Sequence, residues 1–452
     1  VAKDIVLFKE VGKDDGAIVG GKGANLGELT KAGFPVPPGF IITADAYFDY
    51  FKVTGLDKKI GEVLNGLNFE DSKDLQKRAE EAQQLILGTP LPEKLKKEIV
   101  DHYHKLKVET NSEKLYVAVR SSATAEDLAG ASFAGQQATY LNVIGDDEVC
   151  QAVLKCWASL FEARAIYYRN DQGFDQLSVG IAVPVQKMVN SDVAGVMFTI
   201  DPTNNDLDHV SIEAAYGLGE VVVLGAVTPD RYLVDKKTKE ISSKEIAKQT
   251  WMLTRESGSS DTDNTENLEK DAAKVPVELQ SAQKISDKEI TKLFDLALAI
   301  EKHYGKPQDT EWAIEGGRVY MVQSRPVTTL GDQSSDKKVE EPVGDISTAE
   351  IILKGAAASV GMAAGPVKVI HSPSEIDQIL EGDVLVTEMT TPDYVPAMKR
   401  AAAIVTNKGG RTCHAAIVSR ELGIPCVVGT DTATTVLKDA GVVTVDGKSG
   451  VV

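Results

Sequence analysis

Hydrophobic positions sort this chain into strands and helices before any residue is given a role. Short continuous apolar runs, the pattern of buried strands, lie at 39–42, 115–120, 179–189, 194–200 and 320–323. Leu26 and Leu29 fall at helical spacing behind Gly20-Gly21-Lys22-Gly23, which predicts a glycine turn leading into a helix. Phe34-Pro35-Val36-Pro37-Pro38 reads as a rigid, extended stop. Residues 45–106 carry a Lys- and Glu-rich amphipathic pattern, and 149–169 carry a second helical one. The segment 255–274 is polar and poor in aromatics, the composition of a mobile excursion.

The pattern changes after Gly331. The stretch from Gly331 to Pro342 is charged and holds Val339 as its one large apolar residue, so it reads as an extended linker. Beyond it, apolar runs at 367–370, 384–387, 403–406, 427–428 and 442–445 alternate with helical stretches, the signature of a separate α/β unit. The domains expected are 1–329, a linker over 330–346, and 347–452.

Composition narrows the class. A chain of 452 residues is too long for one ordinary core, and 42% hydrophobic with 26% charged residues describes a globular protein. The formal net charge is -18, from 67 acidic against 49 basic residues. That argues against a nucleic-acid scaffold, which needs clustered Lys and Arg. It leaves room for one small anion held by local bases and helix N-termini. No apolar run approaches the roughly 20 residues that span a bilayer, and the first residues lack an export-signal pattern. Cys150, Cys156, Cys413 and Cys426 form no CxxC pair or zinc spacing, so a reducing, cytoplasmic setting without membrane contact is expected.

Two cations sit where phosphate contact is plausible chemistry. Gly16 to Lys22 fits GxxxxGK, but Gly23 replaces the Ser or Thr of a P-loop, so Lys22 suits a phosphate or a solvated surface turn about equally. Arg120 closes an apolar strand, which is costly unless the guanidinium meets an anion or an acid. The loop Gly130-Ala-Ser-Phe-Ala-Gly135 beyond it offers backbone N–H groups that can approach phosphate. A structural salt bridge at Arg120 stays open.

The run from Asp309 to Pro326 reads as two strands joined at Gly316-Gly317. A three-residue loop with a bulge pairs 315 with 319, hence Glu311 with Gln323, Trp312 with Val322 and Ile314 with Tyr320. In that register Glu311 and Gln323 project together as oxygen ligands for Mg²⁺, with Arg325 on the same face; an ordinary polar sheet face is the alternative.

The sharpest local signal is Thr406-Asn-Lys-Gly-Gly410-Arg411-Thr412-Cys413-His414, followed by Gly423 and Pro425. Paired glycines turn the chain, Thr412 reads as the N-cap, and Gly423 ends the helix. His414 thereby falls in the first helical turn, where the positive end of the helix disfavours imidazolium and favours an attached phosphate. Cys413 reads either as redox-sensitive or as a small buried side chain, and Trp157 and Trp251 as packing residues. The remaining histidines have no comparable setting.

Taken together, Gly20-Gly-Lys-Gly-Ala-Asn-Leu-Gly27, Val119-Arg-Ser-Ser-Ala123, Gly130-Ala-Ser-Phe-Ala-Gly135, Gln323-Ser-Arg-Pro326 and Gly409-Gly-Arg-Thr-Cys-His-Ala-Ala416 resemble the phosphoenolpyruvate-utilising dikinase family. The wording of the last motif looks like the phosphoenolpyruvate synthase branch. The resemblance covers nearly the whole chain. It implies an α/β fold, an ATP-grasp nucleotide domain followed by a small swivelling phosphohistidine domain. It further implies that Lys22 and Arg120 contact ATP phosphates, that the loop from Gly135 to Thr139 covers them, and that Gln186 lies near the adenine hinge. Glu311 and Gln323 would hold Mg²⁺, Arg325 would bind phosphate, and His414 would attack the β-phosphoryl group. Asp309 matches the motif with a less defined role. Thr412 matches a threonine that a regulatory kinase phosphorylates in this family.

The family's synthases continue into a β/α barrel that binds pyruvate, whereas this sequence ends at Val452. Either the sequence is a trimmed one, or the barrel that binds pyruvate and phosphoenolpyruvate is expected on a separate polypeptide. Rifamycin phosphotransferases carry an antibiotic-binding domain where this chain has only a short linker. Transfer to another small-molecule hydroxyl, or an ATP-sensing phosphocarrier without turnover, are the rival functions, and a homo-oligomer is compatible with each.

Overall fold

The computed structural model describes residues 3–69, 71–124, 138–256, 272–327, 350–438 and 440–452. The expected linker over 330–346, the glycine loop with Gly135, and most of the polar excursion lie outside these residues. The chain is a mixture of helix and sheet divided into two compact units. The first comprises Val1–Asn190, Arg255–Asp271 and Tyr320–Arg325; the second comprises Ser191–Thr254, Ala272–Val319 and Pro326–Val452.

The first unit is built on one antiparallel sheet. Its strands are β1 (Ile5–Leu7), β2 (Gly39–Ile42), β3 (Val117–Arg120), β4 (Ser122–Ala123), β5 (Thr139–Val143) and β6 (Ile181–Lys187). They run in the order β1-β2-β6-β3-β5, with β4 also on β6. The amphipathic stretch after Asp45 resolves into the helices Ala44–Thr54, Leu56–Leu64, Ser72–Leu87 and Glu93–Glu109. Local chemistry sets the breaks. Thr43 caps the first helix by accepting from the Ala46 N–H, and Gly55 ends it in the left-handed region at φ 69°. Trp157, from the helix Asp146–Ser159, is fully buried and stacks on Tyr50 with ring centroids 4.9 Å apart, as its packing role predicts.

The second unit contains two sheets and a strand pair. β7 (Val193–Phe198), β8 (His209–Tyr216), β9 (Asp230–Asp235) and β10 (Ile241–Glu245) are antiparallel neighbours. β11 (Trp251–Met252) pairs with β12 (Ala273–Lys274), so the end of the supposed excursion is a strand. β13 (Gln308–Glu315) lies against β7, and β14 (Arg318–Pro326) completes the order β10-β9-β8-β7-β13-β14.

The hairpin between β13 and β14 corrects the expected loop. Gly316 and Gly317 both have positive φ, 55° and 76°, the geometry of a two-residue turn that sets Glu315 opposite Arg318 and not Val319. Val319 and Met321 are buried while Tyr320 and Val322 are half-buried, so the apolar alternation also differs from the one expected. At the far end the Val327 N–H donates to the Pro307 carbonyl at 3.0 Å, which places 307 opposite 327. From the turn, the nine residues 307–315 are thus matched by the ten residues 318–327. The one-residue offset assigned to the loop is a bulge within β14.

The last sheet is β15 (Ala356–Ser359), β16 (Met362–Ile370), β17 (Val384–Thr387), β18 (Ala403–Thr406), β19 (Cys426–Val428) and β20 (Val442–Asp446), ordered β15-β19-β18-β17-β16-β20. The four strands from β16 to β19 pair in parallel. Their apolar runs are explained by burial on both faces. Leu385 and Ile404 enter one cluster, and Val384, Val386, Ala403 and Val405 enter another. Among the described residues, no helix is long and apolar enough to cross a membrane.

Candidate functional site

In the first unit a glycine break presents Lys22. The helix Gly16–Lys31 is interrupted at Gly20, with φ 66° and ψ 172°, so Lys22 is the second residue after a kink inside a helix. The glycine turn expected to lead into the helix is this break at Gly20, with a short helical stretch before it. The reason lies across the sheet: a Cβ on Gly20 would come within 2.3 Å of the Ser122 carbonyl oxygen. Ser122 Oγ donates to the Val19 carbonyl at 3.0 Å and accepts from the Gly23 N–H at 3.3 Å. The Lys22 segment is thus fastened to β4, two residues beyond Arg120.

Arg120, at the end of β3, is buried and sits opposite Thr139, the first residue of β5. Its Nη1 donates to the Val322 carbonyl at 3.3 Å, beside Gln323. Gln323 is 5% exposed, and among the described residues its buried Oε1 has no hydrogen-bond donor. Such an oxygen suits a hard cation, which takes oxygen ligands. Gln186 is buried on β6, opposite Ala118, and its Nε2 donates to the Pro37 carbonyl at 3.4 Å. Within the first unit Thr139 thus stands opposite Arg120, and Arg120 reaches the carbonyl next to Gln323; Arg325 is half-buried two residues beyond Gln323. Gly135 lies outside the described residues.

The second unit holds Glu311 and His414. Glu311 is half-buried on β13 opposite Val196, and Asp309 lies two residues before it opposite Phe198. Among the described residues no group of three His, Cys, Asp or Glu side chains forms a metal cage. A cation here would need oxygens from a ligand as well.

His414 opens the helix His414–Leu422, which Gly423 ends at φ 67°. Its Nδ1 lies 2.9 Å from the Thr390 hydroxyl oxygen. The N-cap is Cys413, not Thr412, and no side chain caps the first turn. Thr412 is unavailable because its hydroxyl donates to the Glu213 carboxylate of β8. Arg411 pairs with Glu245 at 2.7 Å, and its Nε donates to the Ala357 carbonyl at 3.1 Å. Burial pushes the Cys413 thiol up to about 11 and the Cys426 thiol up to about 12. Thiolate is scarce at neutral pH under those conditions, which favours the packing reading of Cys413.

Ser122, Glu213, Glu245 and Thr390 were not singled out by sequence reasoning. Glu213 had a usable signal, a lone carboxylate inside the apolar strand that ends at Tyr216, the same anomaly that marked Arg120. Thr390 had none, because threonine in a loop is ordinary.

Comparison with known proteins adds the following. The model of the pyruvate phosphate dikinase AMP/ATP-binding domain matches residues 16–343. The model of the PEP-utilising enzyme mobile domain matches residues 379–450, a span that includes His414. A probable phosphoenolpyruvate synthase of Methanothermobacter thermautotrophicus is 50% identical over 452 residues, 100% of this chain and 64% of the relative. Its counterpart in Archaeoglobus fulgidus is 52% identical, over 99% of this chain and 58% of that protein. The phosphoenolpyruvate synthase of Pyrococcus furiosus is 48% identical, over 99% of this chain and 58% of that protein. The chain thus spans about six-tenths of the length of these relatives.

Proposed function

Because the chain belongs to the family defined by the pyruvate phosphate dikinase AMP/ATP-binding domain, we propose that it takes ATP and passes the β-phosphoryl group to His414, as the nucleotide half of phosphoenolpyruvate synthesis. The observation that carries this reading is the setting of His414. Its imidazole stands at the start of a helix, with Nδ1 engaged by Thr390, on the segment matched by the mobile-domain model. With Nδ1 occupied, Nε2 is the nitrogen that attacks.

The reaction balances as follows. Nε2 forms a bond to the β-phosphorus, the bond from that phosphorus to the α,β-bridging oxygen breaks, and AMP leaves. Water then cleaves the γ-phosphate from the pyrophosphorylated histidine, leaving phosphohistidine and inorganic phosphate. Transfer of this kind depends mostly on position and charge neutralisation. Lys22, Arg120 and Arg325 would meet the phosphates, the loop from Gly135 to Thr139 would cover them, and Gln186 would border the adenine. The N-terminal end of the His414 helix, where its dipole is positive, would favour the phosphate once attached.

Glu311 and Gln323 are the residues suited to Mg²⁺, a choice supported by the buried, donorless Oε1 of Gln323. Magnesium, when bound, would neutralise phosphate charge. A linker at 330–346, as the sequence suggests, would let the unit that bears His414 move between sites. Pyruvate is the proposed final acceptor, from the names of the relatives. The cytoplasm is the proposed compartment, in keeping with four free cysteines.

Incubation with Mg²⁺ and ATP tests the reading by intact mass and nucleotide analysis. One acid-labile phosphate per chain, stoichiometric with AMP and drawn from the β-position of labelled ATP, is the expected result; His414→Ala should carry none. Label on the His414→Ala chain, or ADP in place of AMP, would overturn it. Absence of both adduct and AMP would favour an ATP-sensing module.

A further inference from the structure

Glu213 is a carboxylate that neither the nucleotide nor the metal reading uses. It lies on β8, is 2% exposed, and accepts a hydrogen bond from the Thr412 hydroxyl, two residues before His414. The chain around that bond is closely fitted. A Cβ on Gly410 would stand 3.2 Å from Glu213 Oε2 and 3.0 Å from Pro229 Cδ. Gly225, at φ 72°, leaves room for Cys413, since a Cβ there would fall 2.7 Å from the Cys413 Cβ. Two further bonds flank the same segment: Arg411 to Glu245 at 2.7 Å, and Arg420 Nη1 to the Pro202 carbonyl at 3.0 Å. Arg231, opposite Glu213 across β8 and β9, is held by Asp201 at 2.8 Å and by Glu245 at 3.3 Å.

The Arg411–Glu245 pair and the central bond differ in kind. Glu245 is half-exposed, and an ion pair in that setting contributes little. Glu213 is buried, so its bond is made without competition from water, and loss of one partner leaves the other unsatisfied. The contact also joins residues 199 positions apart, and one of them belongs to the segment matched by the mobile-domain model.

We propose that Glu213 is a positioning residue that seats the 409–413 loop, through Thr412, in the arrangement from which His414 accepts phosphate. The inference rests on the phosphotransfer reading for its purpose, but the seating itself is a property of the protein without nucleotide. A hydroxyl donor at 412 and an acceptor at 213 are what the seat requires. Glutamine at 213 and serine at 412 should therefore preserve it, whereas alanine at 213 and valine at 412 should not.

Single-turnover phosphohistidine formation and ATP affinity are measured for Glu213→Ala, Glu213→Gln, Thr412→Val, Thr412→Ser and the Ala/Val double variant of the full chain. Glu213→Ala and Thr412→Val should each slow the turnover about 10- to 100-fold, with ATP dissociation constants unchanged. The double variant should be no slower than the slower single one, because both remove the same contact. Glu213→Gln and Thr412→Ser should remain near the natural rate. Additive losses, or equal losses in the conservative variants, would overturn the assignment. Hydrogen exchange of the 409–413 amides without nucleotide separates the two readings. Faster exchange in Glu213→Ala than in the natural chain or in Glu213→Gln is expected even if no phosphohistidine ever forms. Equal protection in all three would remove Glu213 from the seat whatever the chemistry.

Discussion

His414 and Thr390 meet at 2.9 Å, imidazole Nδ1 to hydroxyl oxygen, across 24 residues of chain. Thr390 is buried and follows the parallel strand β17, whereas His414 follows its neighbour β18. The two residues therefore come from the same ends of adjacent parallel strands, where α/β sheets place functional groups. The bond restrains the ring and distinguishes its two nitrogens.

Thr390→Val keeps the shape of the side chain and removes the hydroxyl. Phosphohistidine formation should slow about 10-fold, with ATP affinity unchanged, and Thr390→Ser should restore most of the rate. Rapid-quench measurement with labelled ATP checks this. An unaltered rate in Thr390→Val would mean that the ring is oriented by other contacts.

Gly20→Ala tests the break that presents Lys22. The added Cβ meets the Ser122 backbone, and φ 66° disfavours any side chain, so a loss of about 1–3 kcal/mol is expected from the strained conformation. Gly16→Ala is the control, since a Cβ there meets nothing within 4 Å. Urea denaturation should separate the two variants clearly, and calorimetric titration should show weaker ATP binding for Gly20→Ala alone. Equal midpoints would mean that the helix tolerates a regular path through residue 20.

Burial raises the Glu213 carboxyl above its usual value of 4.5, against the lowering effects of the Thr412 hydroxyl and of Arg231, Arg411 and Arg420. The folded chain therefore holds that proton more tightly than the unfolded chain does. The associated stability is fully present below the unfolded value and is lost as pH rises through the folded one. Glu213→Gln removes this titration. Its urea midpoint relative to the natural chain should accordingly improve between pH 4 and pH 8. A constant difference across that range would show that the carboxyl titrates alike in both states.

Local pattern was enough to locate much of this protein. The apolar runs at 384–387 and 403–406 became β17 and β18 with the same bounds, because a strand buried on both faces needs an unbroken apolar run. Gly423 closes the His414 helix as its position predicts, because a left-handed residue is a local requirement. Lys22, Arg120 and His414 stood out as polar groups among glycines or at strand ends, where their placement is costly without a partner.

Partners were another matter. The Thr412 hydroxyl had two uses open to it, a cap on its own helix or a bond elsewhere, and Glu213 on β8 took it. The hairpin at Gly316-Gly317 could turn over two residues or three, and either count satisfies a glycine pair. Ser122 fastens Val19, beside the break at Gly20, across 103 positions of sequence. Motif and periodicity determined which residues are candidates for chemistry and which elements bear them, since both are written within a few residues. Hydrogen-bond partners, the register of the hairpin and the acid that seats the histidine loop were decided only by the tertiary structure. Each depends on which strands lie side by side, and on a competition for the same donor that no local stretch of sequence contains.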